Sequence, residues 1–131
     1  MGENMGKGPL HIGKLRIGVE TSFSAAHYLP GHPKCGIIHG HNYKVRVELE
    51  GPEDAEMLVD FGIVKKHLND ILKDLDHEML NKYFSMPTAE VLAKYIWEEM
   101  SKRFHDRKDI HVVEVTVYET EKYYAKYIAG R

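Results

Sequence analysis

Hydrophobic and polar residues alternate along two stretches in the first half of the chain. In each stretch the positions of one parity are largely apolar, and they meet histidines at one end. The first set is Leu15, Ile17, Val19, Phe23, Ala25 and His27, and the second is His39, His41, Tyr43, Val45, Val47 and Leu49. Successive side chains of a strand point to opposite faces, so each stretch predicts a strand with one apolar face.

The period changes after Gly51-Pro52. Asp60 is a plausible helix N-cap, and Thr88, preceded by Pro87, is another. Apolar residues follow each cap at helical spacing and predict two amphipathic helices. The first stripe is Ile63, Val64, His67, Leu68, Ile71, Leu72 and Leu75, and the second is Val91, Leu92, Tyr95, Ile96, Met100 and Phe104.

Alternation returns near the C-terminus. Val113, Val115, Val117 and Glu119 share one parity, and a last strand is expected over about 122–129. The order β-β-α-α-β-β predicts an α+β fold, a four-stranded antiparallel sheet with both helices on one face. Such a sheet has open edges, and closure between subunits is one way to cover them.

Length, composition and charge limit which kind of protein this chain can be. A chain of 131 residues with 43% hydrophobic content suits one domain, which we place at residues 14–131 after a flexible, glycine-rich leader at 1–13. The net charge of −2 gives no field that recruits nucleic acid. No apolar run is long enough to span a membrane. The single cysteine fits a reducing cytoplasm.

Three histidines are the candidate metal ligands of this chain. If the first two strands form a hairpin, His27 meets His39 and His41 at one end, with Cys35 in the intervening loop. Three neutral imidazoles bind zinc while leaving a fourth position open. Nickel, copper or iron suit the same ligands, and a lone histidine at the end of an apolar face is more often a core or rim residue.

Two further carboxylates stand out. Asp76 adjoins His77, a pair that suits proton transfer, although the pattern alone favours ordinary residues at a helix end. Glu119 ends an apolar strand face, where a carboxylate is costly unless it is paired. The pattern alone favours a strand-end carboxylate held by water.

Several motifs together resemble the 6-pyruvoyltetrahydropterin synthase superfamily, from Leu15 to about Tyr127. They are FSAAH, C-x3-H-G-H-N-Y, LDHEMLN, PTAEVLAKYIWE and VTVYET. The three residues between Cys35 and His39 resemble the 6-carboxytetrahydropterin synthase branch of the queuosine and 7-deazaguanine pathway. The resemblance implies the tunnelling fold (T-fold), in which sheets of several subunits join into a barrel. It also implies trimers stacked as a hexamer, with active sites between subunits.

The resemblance also implies residue roles. A zinc ion would be held by His27, His39 and His41, and the family's catalytic histidine and its aspartate match His77 and Asp76. Glu119 matches the glutamate that anchors the pterin ring, also described as a relay partner of the histidine. Cys35 is the candidate base, and we expect zinc, Lys34 and His32 nearby to favour its thiolate.

The implied substrate is 7,8-dihydroneopterin triphosphate, converted to 6-carboxy-5,6,7,8-tetrahydropterin with loss of acetaldehyde and triphosphate. Lys44, Arg46 and Lys34, or a neighbouring subunit, are candidates for holding the triphosphate. Three alternatives remain. One is a biopterin-type synthase that only eliminates triphosphate. Another is a folate-pathway relative that releases the side chain, although that group usually carries a glutamate where Cys35 stands. The third is a noncatalytic, zinc-stabilised module that binds a purine-like ligand.

Overall fold

The structure is a computed structural model, and it describes residues 13–130. The predicted leader at 1–13 therefore falls, except for Gly13, outside the described residues, as does His11. Four strands and two α-helices follow one another in the predicted order. They are β1 (Lys14–His27), β2 (His39–Pro52), α1 (Phe61–Leu72), α2 (Ala89–Arg103), β3 (His111–Tyr118) and β4 (Tyr124–Ile128), with a short 3-10 helix at Leu80–Lys82 between the α-helices.

The strands form one antiparallel sheet in the order β1-β2-β3-β4. Helix α1 packs against β1, α2 packs against β3 and β4, and the helices touch each other. One apolar core joins the helices to the odd-numbered residues of β2. Its fully buried members include Val45, Val47, Val64, Leu68, Leu92 and Ile96. The predicted α+β architecture is confirmed.

Both predicted N-caps are present. The carboxylate of Asp60 accepts the Gly62 N–H at 2.7 Å, and the hydroxyl of Thr88 accepts the Val91 N–H at 3.2 Å. Each bond satisfies a backbone donor that has no partner within the helix, which fixes where the helix begins. The start of α2 is important for the site, because the residue just before its cap, Pro87, contacts a histidine.

Three details differ from the periodic pattern. Helix α1 ends at Leu72, three residues before the last apolar position predicted for it. Ile63 and Val91, in the first turns of their helices, are exposed. Val113 is buried but is not part of the main core cluster, because the β2–β3 register shifts between Glu48 and Leu49 and leaves Val113 without a partner residue on β2. Such a bulge changes the side-chain parity of the strand.

The outer edge of β1 is covered over only part of its length. The segment after α1 lies along it, with the Ala26 N–H donating to the Glu78 carbonyl at 3.0 Å and the His77 N–H donating to the Ser24 carbonyl. From Lys14 to Ser22, no strand among residues 13–130 lies beside this edge. None of the helices in that range is long and apolar enough to cross a membrane.

Candidate metal centre and catalytic cleft

The β1–β2 pairing brings three histidines to one end of the sheet. His27, the last residue of β1, lies opposite His39, the first residue of β2, and Ala25 lies opposite His41. All three imidazoles project from the core face, as their parity predicts. One ring nitrogen from each of the three residues lies within 4.8 Å of the other two. His27 is fully buried, and the other two are partly exposed.

Backbone carbonyls orient two of these rings. Nδ1 of His27 is 2.8 Å from the Pro87 carbonyl oxygen, and Nδ1 of His39 is 2.7 Å from the Ile37 carbonyl oxygen. A carbonyl only accepts, so each Nδ1 carries a proton, and in the neutral ring each Nε2 then presents a lone pair. The two Nε2 atoms are 3.1 Å apart. Hydrogen bonds from Nδ1 to a backbone carbonyl, as seen here, are typical of metal-binding histidines.

His41 supplies the third nitrogen. Its Nε2 is buried and has no hydrogen-bond partner among the described residues. The nearest charge is Oε1 of Glu119, 3.4 Å away but outside hydrogen-bonding geometry. Burial lowers the pKa of His41, the Glu119 carboxylate opposes that shift, and the His27 and His39 rings add to it. A neutral imidazole with an unsatisfied buried nitrogen suits a metal ligand.

The residues present therefore fit a metal ion. They offer three imidazole nitrogens and no thiolate, the ligand set of zinc sites that keep an open position. The hydroxyl of Tyr43 lies 3.2 Å from Nδ1 of His27, and burial raises the pKa of this tyrosine, so it stays protonated. Tyr43 is stacked on Phe23, with ring centroids 4.9 Å apart, and its ring is in edge contact with His27 and His41.

Asp76 and His77 form a direct pair in the turn after α1. Nδ1 of His77 is 3.0 Å from Oδ2 of Asp76, and the other carboxylate oxygen of Asp76 accepts the Ser24 N–H at 2.9 Å. The Ser24 bond, and then the contact with His77, hold the pKa of Asp76 below its usual range. His77 has φ of 61°, a left-handed backbone that turns its side chain toward solvent, where it is 81% exposed.

A cleft joins this pair to the histidine cluster. It has a volume of about 540 Å³, and His41 and His77 both line it, together with Ala25, Gly40 and neighbouring residues. The structure thus brings the predicted proton-transfer histidine and a predicted metal ligand to one open space. That arrangement allows a bound molecule to contact both.

Glu119 follows the last residue of β3, in the turn that leads to β4. Its N–H donates to the Tyr123 carbonyl at 2.9 Å, which holds the turn closed and leaves the side chain facing His41. A second, smaller cavity of about 210 Å³ lies beside it, lined also by Ala89, Glu90 and Tyr124. Glu119 is thus about one-quarter exposed and lies between a candidate metal ligand and a cavity.

Cys35 lies apart from these groups, in the loop between β1 and β2. Its sulfur makes no hydrogen bond within residues 13–130, and it does not line the cleft of His41 and His77. The Cys35 N–H donates instead to Nδ1 of His32. The chain by itself therefore does not bring the predicted base into contact with the histidine cluster.

Some contributors to the site were not expected from the sequence. Pro87 and Ile37 act through backbone carbonyls, which leave no mark in a residue pattern. Tyr43 shares the strand parity of His41 and could have been found from that signal. The same parity, however, is also that of an ordinary core residue. His32 was expected only as a nearby charge.

Comparison with known proteins shows the family of this chain and agrees with its fold. Residues 16–129 match the family described as 6-pyruvoyl tetrahydropterin synthase. A protein from Archaeoglobus fulgidus, provisionally named 6-carboxy-5,6,7,8-tetrahydropterin synthase, is 40% identical over 114 residues, which cover 86% of this chain and 95% of that protein. The dihydroneopterin monophosphate aldolase of Pyrococcus furiosus is 36% identical over 89 residues, covering 68% of this chain and 77% of that protein.

A solved structure supports the same assignment. The 6-pyruvoyl tetrahydropterin synthase of Caenorhabditis elegans superposes with a TM-score of 0.78 at 28% identity, covering 90% of this chain and 97% of that one. Since the family match spans nearly all the described residues, the shared sheet and helices extend to the histidine-bearing strand ends. The chain belongs to the 6-pyruvoyl tetrahydropterin synthase family, and it is an enzyme of the lyase type.

Proposed function

We propose that the protein is a zinc-dependent lyase that converts 7,8-dihydroneopterin triphosphate and water into 6-carboxy-5,6,7,8-tetrahydropterin, acetaldehyde and triphosphate. The observation that carries the proposal is the convergence of the His27, His39 and His41 imidazoles beside an open cleft. The name of the Archaeoglobus fulgidus relative supports the choice of product.

Zinc would be held by Nε2 of His27 and His39 together with His41. A bound zinc ion would supply Lewis acidity, which stabilises negative charge on a hydroxyl or carbonyl oxygen of the substrate side chain. The chain's contribution is to present unprotonated nitrogens. The Pro87 and Ile37 carbonyls do this by holding the proton of two rings on Nδ1.

Glu119 is proposed to bind the pterin ring. The ring N–H and the exocyclic amino group form a guanidine-like edge, and a carboxylate accepts two parallel hydrogen bonds from such an edge. Glu119 lies 3.4 Å from His41, so a ring held there places its side chain near the proposed zinc ligands. This carboxylate therefore sets which part of the substrate faces the reacting groups.

Proton transfer is proposed for Cys35 and His77. Cys35 removes a proton from the side-chain carbon that bears a hydroxyl, and His77 carries the second proton, oriented by Asp76 at 3.0 Å. His77 is exposed and Cys35 does not line its cleft, so we propose that neighbouring subunits complete each site. We propose trimers stacked as a hexamer, in which the sheets close a barrel. The open edge of β1 from Lys14 to Ser22 supports the joining of sheets between subunits.

The triphosphate needs cations, and two of the three expected ones are already engaged. Arg46 donates to Glu20 at 2.6 Å, and Lys44 lies over the Tyr118 ring. Both residues also have the strand parity opposite to that of the histidines. Lys34, in the loop that carries Cys35, is the candidate that we retain, together with cations of a neighbouring subunit.

The setting of this reaction remains a proposal as well. We propose one catalytic domain at residues 14–131, acting in the cytoplasm within a queuosine or related 7-deazaguanine pathway. A lone cysteine that must stay reduced to act as a base agrees with that compartment.

The deciding experiment is product analysis. Zinc-loaded protein is incubated with 7,8-dihydroneopterin triphosphate, and products are identified by mass spectrometry, with Cys35→Ala as the matched variant. We expect acetaldehyde and 6-carboxytetrahydropterin from the wild type only, while the variant keeps its metal. A 6-pyruvoyl product would indicate a biopterin-type synthase. No turnover with any metal would leave a zinc-stabilised binding module, which predicts that zinc removal unfolds the domain.

A second candidate is an aldolase, because the Pyrococcus furiosus relative at 36% identity carries that name. This activity cleaves the side chain of a dihydroneopterin and leaves a hydroxymethyl pterin. The same incubation, repeated with 7,8-dihydroneopterin monophosphate, separates the two candidates. A hydroxymethyl product, formed faster from the monophosphate, would replace the first proposal.

A further inference from the structure

The loop between β1 and β2 is closed by the imidazole of His32. Its Nδ1 lies 2.8 Å from the backbone nitrogen of Cys35 and 3.1 Å from that of Lys34. Backbone N–H groups only donate, so Nδ1 accepts both bonds and carries no proton in this arrangement. Leu29 completes the loop, since its N–H donates to the Cys35 carbonyl at 2.7 Å and its carbonyl accepts the His32 N–H at 3.0 Å.

The neighbouring glycines show that this loop shape is specified. A Cβ at Gly36 would lie 2.7 Å from the His32 carbonyl oxygen, closer than any side chain tolerates. Gly31 has φ of 80°, which L-residues rarely adopt. Cys35 is therefore held through its own N–H, its own carbonyl and the close passage of the next residue. Its side chain, half-buried, is directed by that backbone.

We propose that His32 is a positioning residue, which fixes the orientation of the Cys35 thiol for proton transfer. The catalytic part of this inference rests on the proposed function, while the effect on the thiol itself does not. His32 was expected to act on the thiol as a nearby charge, whereas these contacts act on it through the shape of the loop. Its role is geometric.

Substitutions separate the acceptor from the rest of the side chain. His32→Ala removes the acceptor of both N–H groups, whereas His32→Asn retains a side-chain oxygen that accepts from nearby backbone N–H groups in turns. His105→Ala is the matched control, because His105 is also exposed and also bonds the backbone through Nδ1, to the Lys102 carbonyl near the end of α2. Thermal denaturation checks that each variant folds.

Thiol reactivity gives a readout that needs no substrate. Cys35 is the only cysteine, so alkylation by iodoacetamide reports on it alone. We expect His32→Ala to be alkylated several-fold faster than the wild type, because a released loop exposes a half-buried thiol. His32→Asn and His105→Ala should react at the wild-type rate.

Turnover tests the catalytic part. We expect His32→Ala to lose roughly 10- to 100-fold in kcat, the cost of misplacing a reacting group, with KM and zinc content little changed. His32→Asn should recover most of that loss. Equal alkylation rates for His32→Ala and the wild type would overturn the proposal, as would a changed rate with unchanged kcat. If the wild type makes no 6-carboxy product yet the alkylation difference appears, the proposed function fails and the control of the thiol by His32 stands.

Discussion

Replacing Glu119 by glutamine tests how the substrate is anchored. The carboxylate lies 3.4 Å from His41 and is one-quarter exposed, so the change removes a charge without opening the core. A glutamine keeps one accepting oxygen but turns the other position into a donor, which then faces a donor of the pterin edge. One charge-assisted hydrogen bond contributes roughly 1.5–3 kcal/mol. The expected weakening of pterin binding is therefore roughly 10- to 100-fold.

Binding is measured by calorimetry with unphosphorylated 7,8-dihydroneopterin, so that phosphate contacts do not contribute. Glu121→Gln is the matched control, because Glu121 lies in the same turn but is exposed. We expect the control to bind like the wild type and both variants to keep full zinc content. Unchanged affinity in Glu119→Gln would refute the anchoring role. Loss of zinc in that variant alone would instead make Glu119 a metal ligand.

Three further predictions concern the cluster and the turn after α1. His39→Ala should weaken zinc binding by at least about 100-fold in a chelator competition, whereas His67→Ala, on α1, should leave it unchanged. The Ser24 bond lowers the pKa of Asp76 in the folded state, so its stabilising contribution is full above the unfolded-state value and is lost as the pH falls through the folded value. Acid unfolding of Asp76→Asn should therefore lack this step, and the stability difference from the wild type should shrink in acid; a constant difference would contradict the linkage. His77→Gly should keep or slightly raise the thermal midpoint, because glycine adopts the left-handed backbone without strain, while kcat collapses; a large fall in midpoint would show that the ring itself holds the turn.

The fold was largely predictable because each strand and α-helix carries its own period and each α-helix also carries its own N-cap. Asp60 and Thr88 mark helix starts by a local hydrogen bond, which a residue pattern records. The end of α1 was not predictable in the same way. Apolar spacing continues to Leu75, but the Ser24 N–H and the β1 edge bond the segment around Asp76, and these partners lie some fifty positions earlier in the chain. Val113 departs from its parity for a similar reason, since the bulge depends on pairing with β2.

The candidate site shows the same division. Parity and the hairpin place His27 beside His39 and His41, and the structure brings the three rings together. Which ring nitrogen faces inward depends on the carbonyls of Pro87 and Ile37, and a carbonyl is common to every residue. The relation of Cys35 to the cluster could not be read from a short interval in sequence, because the loop closes on His32 instead. The metal, catalytic and pterin-binding roles stay predictions for the experiments above.

The partly covered edge of β1 limits how another chain can add to this side of the sheet. Along β1, a strand from another chain could pair only from Lys14 to Ser22, because the segment that carries His77 already bonds Ser24 and Ala26. That segment occupies the edge beyond Ser22, so a strand that pairs with β1 cannot extend past it. Because a slip of one residue exchanges the two faces of a strand, such a limit protects against misregistered association. A substitution that loosened the turn at His77 would then lengthen the unpaired edge of β1, and aggregation would accompany the loss of activity.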